Sequence, residues 1–169
     1  MEYVDDIFEV NIKIAAWVCK FNVERTTEDL IKGLSVGNVG KYNLSKNQID
    51  GVINIDVTMN DVGTKIFDGK FTNDFQISLN ENPIYNFDIQ IGAAKSYFNL
   101  IPFKVKNLSL KTGATETKIK LGNKSSETNL NIEMGAASLK IYIPQSSGCK
   151  ITGEMALISK NLDGFIVNG

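Results

Sequence analysis

The chain has 169 residues, 43% of them hydrophobic and 22% charged, with 18 basic and 19 acidic side chains and a net charge of −1. That length predicts a single domain large enough to bury a core, and that balance leaves no general field to attract nucleic acid or an acidic membrane. Histidine is absent, which removes the commonest general base, the usual partner of a catalytic nucleophile and the commonest metal ligand.

The first residues, MEYVDDIFEVNIKI, begin acidic and break their apolar positions with Glu9, Asn11 and Lys13. This is not a signal peptide, and no apolar run approaches the roughly 18 to 20 residues that span a bilayer. The expectation is a cytosolic chain, or the soluble part of a longer membrane-tethered protein, with which the ending DGFIVNG also agrees. Phe8, Val10, Ile12, Ile14, Ala16 and Val18 share one parity, which predicts an extended strand. Thr26 to Leu34, TTEDLIKGL, then predicts one short helix at about 27–33, with Thr27 as its cap, Glu28 and Asp29 in the first turn and Gly33 as its stop. From Gly37 onward the pattern is strands and turns.

Three stretches then repeat: NFDIQIGAAKSYFNL from Asn86, NLSLKTGATETKIKL from Asn107 and NLNIEMGAASLKIYI from Asn129. Their glycines, Gly92, Gly113 and Gly135, stand 21 and 22 residues apart. Such a period of alternating residues predicts stacked β coils that bury one apolar row against the next. That row reads Phe87, Leu108 and Leu130, then Ile89, Leu110 and Ile132, and resumes after the glycine with Phe98, Ile119 and Ile141. The apolar parity is read as continuing through the glycine, as in a strand bent at a corner, and the alanine after each glycine as marking a tight one. Asn86, Asn107 and Asn129 precede the glycines by six residues and are candidates for a side-chain amide ladder. Weaker echoes lie at Asn54–Asn60 and Asp74–Asn80. Asn80 and Gly92 are too close for the same period, so either the upstream coils are irregular or one match is false. The outward parity is polar, with Lys111 beside Glu133 as a cross-strand ion pair and Lys118 beside Lys140 as a mild repulsion.

These elements predict an all-β single domain, 1–169, built as a stacked β-solenoid resembling a single-stranded right-handed β-helix, with a β-sandwich as the alternative. Residues 1–50 would form an irregular N-terminal cap carrying the helix, 51–145 the stacked repeats and 146–169 a C-terminal cap. Cys19 and Cys149 fit no metal-ligand spacing. They are free apolar fillers, or a disulfide if the ends meet. Asp56, Asp61 and Glu116 do not cluster as a glycosidase pair would. Ser125, Ser126, Ser146 and Ser147 are turn serines without an activating base. Gly37, Gly40 and Gly63 make no phosphate loop. No catalytic residue, cofactor site or metal site is assigned. Trp17, Tyr97 and Tyr142 fall on outward parity and are candidates for surface contact with carbohydrate, lipid or protein.

The segment NLNIEMGAASLKIYIPQSSGCKI resembles the C-terminal signature of the LiaF-like cell-wall-antibiotic-response proteins and their toast-rack relatives. The correspondence comprises strand, glycine corner, strand and Pro144, and the preceding repeat, Leu108 to Gly122, fits the same families. The resemblance covers about residues 84 to 160. It implies a non-catalytic binding or regulatory domain of a bacterial cell-envelope protein, in some relatives tied to stress-response signalling. No catalytic residue carries over. The implied partner is a protein or an envelope component, with the membrane reached only through a tether outside this chain and no nucleic acid. Two other functions stay open: a self-associating structural scaffold, including a homodimer, and a polysaccharide-active β-helix enzyme.

Overall fold

The computed structural model describes residues 1–2, 9–37, 40–60, 73–113, 115–135 and 137–150. Among the described residues ten strands run in chain order: β1 Glu9–Thr26, β2 Ile31–Gly37, β3 Lys41–Ile49, β4 Val52–Asn60, β5 Asn73–Leu79, β6 Ile84–Leu100, β7 Lys104–Thr112, β8 Thr115–Leu121, β9 Asn129–Met134 and β10 Ala137–Tyr142. The described residues are all-β, with parallel and mixed pairing in one hydrogen-bonded network.

β1 and β6 are 18 and 17 residues long, about three times an ordinary strand. Each is long because it is two strands joined at a bend. Val10, Ile12 and Ile14 of β1 are buried on even positions, and Cys19, Phe21 and Val23 on odd ones. In β6, Tyr85, Phe87, Ile89 and Ile91 are followed by Ser96, Phe98 and Leu100. The apolar parity therefore does not continue through the glycine. It switches there, because a strand's side chains alternate and the bend absorbs one extra residue to keep both arms facing the core.

The two arms have separate neighbours. The first half of β1 pairs in parallel with β4, from Glu9↔Val52 to Ala15↔Thr58, and its second half with β5, from Lys20↔Asp74 to Thr26↔Leu79. β6 lies along its other side through both arms, from Glu9↔Ile84 to Val23↔Phe98. β7 and β8 then take the two halves of β6, β9 pairs with β7 and β10 with β8. Parallel in-register pairing stacks like on like: Ile12, Phe87, Leu108 and Leu130 form one row, and Ile14, Ile89, Leu110 and Ile132 the next. A single core cluster joins the arms, with Tyr42 of β3 stacked on Phe75 of β5 at a ring separation of 4.0 Å.

No helix occurs among the described residues, and the one expected at 27–33 is replaced by a bend followed by β2. The Asp29 amide donates to Thr27 Oγ1 at 3.3 Å, so the capping chemistry is present but closes a turn. Thr27 N donates to Leu79 O, and Asn80 N to Leu30 O. These bonds pin the segment to the end of β5, where β2 pairs antiparallel from Ile31↔Leu79 to Gly37↔Asn73. Adjacent Leu30 and Ile31 are both buried, so a tertiary partner outweighs a weak local propensity.

The stretch 1–50, expected as an irregular cap, contains β1, which has partners on both flanks. It also holds β3, joined to β4 by a hairpin whose Asp50 and Gly51 both have positive φ, 51° and 80°. That pair of left-handed residues makes the tight turn whose twist suits paired strands. Of the expected cap at 146–169, residues 151–169 lie outside the described residues.

Candidate functional site

Gly92, Gly113 and Gly135 lie one above another where the arms meet. Gly113 N donates to Gly92 O at 2.8 Å, and Gly135 N to Thr112 O at 3.1 Å. A Cβ on Gly92 would lie 2.5 Å from the Trp17 carbonyl oxygen, one on Gly113 2.6 Å from the Gly92 oxygen, and one on Gly135 3.1 Å from the Gly113 oxygen. None of the three has a positive φ. The glycines therefore serve close stacking of backbones rather than a left-handed turn. Trp17 occupies the same place in β1, with its carbonyl over Gly92 and its side chain 67% exposed.

With no side chains along that line, an open groove of about 720 Å³ follows the corner. It is lined by the three glycines, by Trp17, by Thr58 and Met59 of β4, and by the polar side chains Gln90, Lys111 and Glu133. Lys111 and Glu133 are paired at 3.0 Å. A second groove, of about 360 Å³, lies over the first arm beside Lys13, Asp56 and Asp88.

Along that second groove runs a ladder of asparagines. Asn11 Nδ2 donates to Asn54 Oδ1 at 2.9 Å, Asn86 Nδ2 to Asn11 Oδ1 at 2.9 Å and Asn107 Nδ2 to Asn86 Oδ1 at 2.7 Å. Asn129 is in register below Asn107. Asn11 escaped the sequence reading although NIKIAAW matches NFDIQIG, with tryptophan where the repeat has glycine. Of the two upstream echoes, Asn54 belongs to this row, while Asp74 pairs with Lys20 in the other arm.

The outer face of the second arm is built from β6, β8 and β10. Tyr97 is opposite Lys118, Lys118 opposite Lys140, and Lys120 opposite Tyr142. The Lys118 ammonium lies 5.8 Å from the Tyr97 ring centre and 5.1 Å from that of Tyr142, and Lys120 lies 5.7 Å from Tyr97. Beside them Glu116 pairs with Lys95 at 2.8 Å, and that hydrogen bond holds its exposed carboxyl below the usual range. Of the expected contact residues, Tyr97 and Tyr142 share this face, and Trp17 stands apart at the corner.

Cys19 is buried and Cys149 exposed, and both are free thiols. Burial pushes the Cys19 thiol up to about 11, and it also raises the phenol of Tyr42, which bonds to Asn73 Oδ1 at 3.2 Å. Asp56 is exposed, and Asp61 lies outside the described residues. Among the described residues no three His, Cys, Asp or Glu side chains are grouped to hold a metal ion, and no helix is long and apolar enough to cross a membrane.

The family model for the N-terminal domain of toast_rack, DUF2154, matches residues 3–142. The match extends well upstream of the repeats that carried the sequence resemblance and takes in β1 through β5. No curated protein matches the chain. Among solved structures, a protein from Clostridium sporogenes, provisionally described as a cell adhesion protein, superposes with a TM-score of 0.62. It is 15% identical, over 82% of this chain and 93% of the other. At that identity the likeness is one of fold.

Proposed function

The chain belongs to the family of toast-rack N-terminal domains, and from that premise we propose that it is a non-catalytic binding or regulatory domain of a bacterial cell-envelope protein. The observation that carries this reading is the corner groove, where three stacked glycines expose backbone beside an exposed indole and the polar residues Gln90, Lys111 and Glu133 of successive strands. Such a groove suits an extended protein segment or envelope component lying across the coils. Among the described residues, the strongly raised groups, Cys19 and Tyr42, are kept protonated, and the lowered carboxyls of half-buried Asp29 and exposed Glu116 are each paired with a lysine. A hydrolase would instead need a carboxyl raised toward neutrality in a cleft. The solenoid arrangement, resembling a single-stranded right-handed β-helix rather than a sandwich, is part of the proposal, as is a role in envelope stress response. The adhesion description of the structural neighbour agrees with an envelope location, with the membrane reached through a tether outside this chain.

The chain has one tryptophan, Trp17, so its fluorescence reports on the groove. Titration with isolated bacterial envelopes is expected to shift the emission to the blue in a saturable way, and Trp17→Ala is expected to weaken sedimentation with those envelopes. Unchanged emission, or equal sedimentation of the variant, overturns the groove as the contact site.

A second reading, self-association, is favoured by the end of the stack. Leu139 and Ile141 are in register with buried Thr117 and Ile119, yet they are 38% and 39% exposed. If copies meet there, light scattering will show mass growing with concentration, and Ile141→Glu will abolish the growth.

A further inference from the structure

Beyond the corner groove, the geometry points to a second site: we propose that the lysine–tyrosine face of β6, β8 and β10 binds a linear anionic polysaccharide. Lys20, Lys95 and Lys111 each have a carboxylate partner. Lys118, Lys120 and Lys140 form no close ion pair among the described residues: the nearby Glu116, whose carboxyl Lys118 and Lys140 help to lower, is bonded to Lys95, and Lys118 and Lys140 are directly opposite each other on adjacent strands. Like charges held in that register oppose folding. Two tyrosine rings offset part of the cost through their π faces, because Lys118 lies near both and Lys120 near one.

The shape of the face selects the ligand. Neither groove is lined by Tyr97, Lys118, Lys120, Lys140 or Tyr142; these side chains lie on the outward parity of paired strands, an open surface. On such a surface affinity comes from adding small contacts over several repeats, which favours a chain over a single small anion. Cations fall about 5 Å apart across the strands and about 7 Å apart along them, a spacing that a chain bearing a charge on successive units can follow. The phenol rings add flat apolar surface with a polar tip, suited to the C–H faces and hydroxyls of sugars. The exposed apolar side chains of β10, Leu139 and Ile141, are on the opposite parity, so this face carries no apolar fringe to enter a bilayer. A nucleic acid would meet the same lysines, and oligothymidylate as a competitor separates it from a carbohydrate.

Affinity electrophoresis of the whole chain tests this, with alginate as the carboxylated polysaccharide and dextran as its neutral counterpart. Polyglutamate, oligothymidylate and phosphatidylglycerol vesicles serve as anionic competitors. Alginate is expected to bind in low salt, dextran not, and the affinity to fall about tenfold by roughly 0.3 M salt as the charges are screened. Lys118→Glu with Lys140→Glu is expected to lose at least about tenfold, and the charge-matched Lys41→Glu with Lys46→Glu, on exposed β3, less than about twofold. Tyr142→Ala is expected to weaken alginate several-fold and leave polyglutamate unchanged. Melting curves establish that each variant is folded. Alginate binding no better than dextran, equal loss from the β3 control, or a competitor bound as tightly as alginate would each overturn the assignment. Because the readout is a purified carbohydrate, failure here leaves the corner-groove reading untouched, and failure at Trp17 leaves this one untouched.

Discussion

Gly113 and Gly135 look equivalent in sequence, but the room above them differs. A methyl group on Gly113 would press on the Gly92 carbonyl at 2.6 Å, whereas one on Gly135 would sit 3.1 Å from the Gly113 oxygen in the last coil. Backbone cannot swing aside as a flexible side chain can. Gly113→Ala is therefore expected to cost about 2 to 3 kcal/mol, and Gly135→Ala clearly less, read as a lowered urea midpoint at unchanged slope. Cys19 supplies a second test at this scale. Its buried thiol is raised from 9.0 to about 11, so the folded state holds the proton more tightly than the unfolded one. That contribution is complete below pH 9 and is lost as pH rises toward 11. Cys19→Ala should flatten part of the fall in stability across that window. A thiol reagent at neutral pH should modify one cysteine per folded chain, exposed Cys149, and two per unfolded chain.

The asparagine ladder acts between strands, tying β4, β1, β6 and β7 by their side chains as well as their backbones. Asn86 sits in its middle, donating to Asn11 and to Glu9 Oε1 and accepting from Asn107, so its loss breaks three side-chain hydrogen bonds. Asn86→Ala is expected to cost about 1 to 2 kcal/mol, and exposed Asn129→Ala less than about 0.5, measured by denaturant titration. The elements also show what could be read from the chain. Apolar residues of β6 to β10 recur at fixed spacing because each strand pairs in register with the one before, and that constraint is printed in the sequence. The fate of Thr27 to Leu34 is not, because TTEDLIKGL has sound capping chemistry and only the free edge of β5 makes a strand the better outcome. The parity switch at the corner, by contrast, is in the sequence, and the expectation of a continuous parity overlooks it: Phe87 and Ile89 fall on odd positions and Phe98 and Leu100 on even ones, and burial of both sets shows the extra residue at Gly92.

For the whole molecule, the stack is best protected at its centre. Ile119 is fully buried, and Ile141, its neighbour in register, is 39% exposed. Truncating the first leaves a cavity, while truncating the second removes surface already wet. Ile119→Ala should cost about 2 to 5 kcal/mol and Ile141→Ala less than half as much, by thermal or urea unfolding. Near-equal costs would show that the last coil is covered in solution. The lysine–tyrosine face was only half legible for a related reason: its residues come from three strands, and the repeat places them in register without revealing that Lys95 takes up Glu116, the acid beside them.

The position of β1 bears on how the protein is made. The earliest strand lies in the middle, and its longest neighbour begins 75 residues later, as the Asn11–Asn86 bond records. During synthesis at about 5 to 20 residues per second, the hydrophobic side of β1 waits several seconds for that neighbour to leave the ribosome. Over that interval the nascent chain is a natural client for a chaperone, and mutations that delay β6 should appear first as lost yield rather than lost stability.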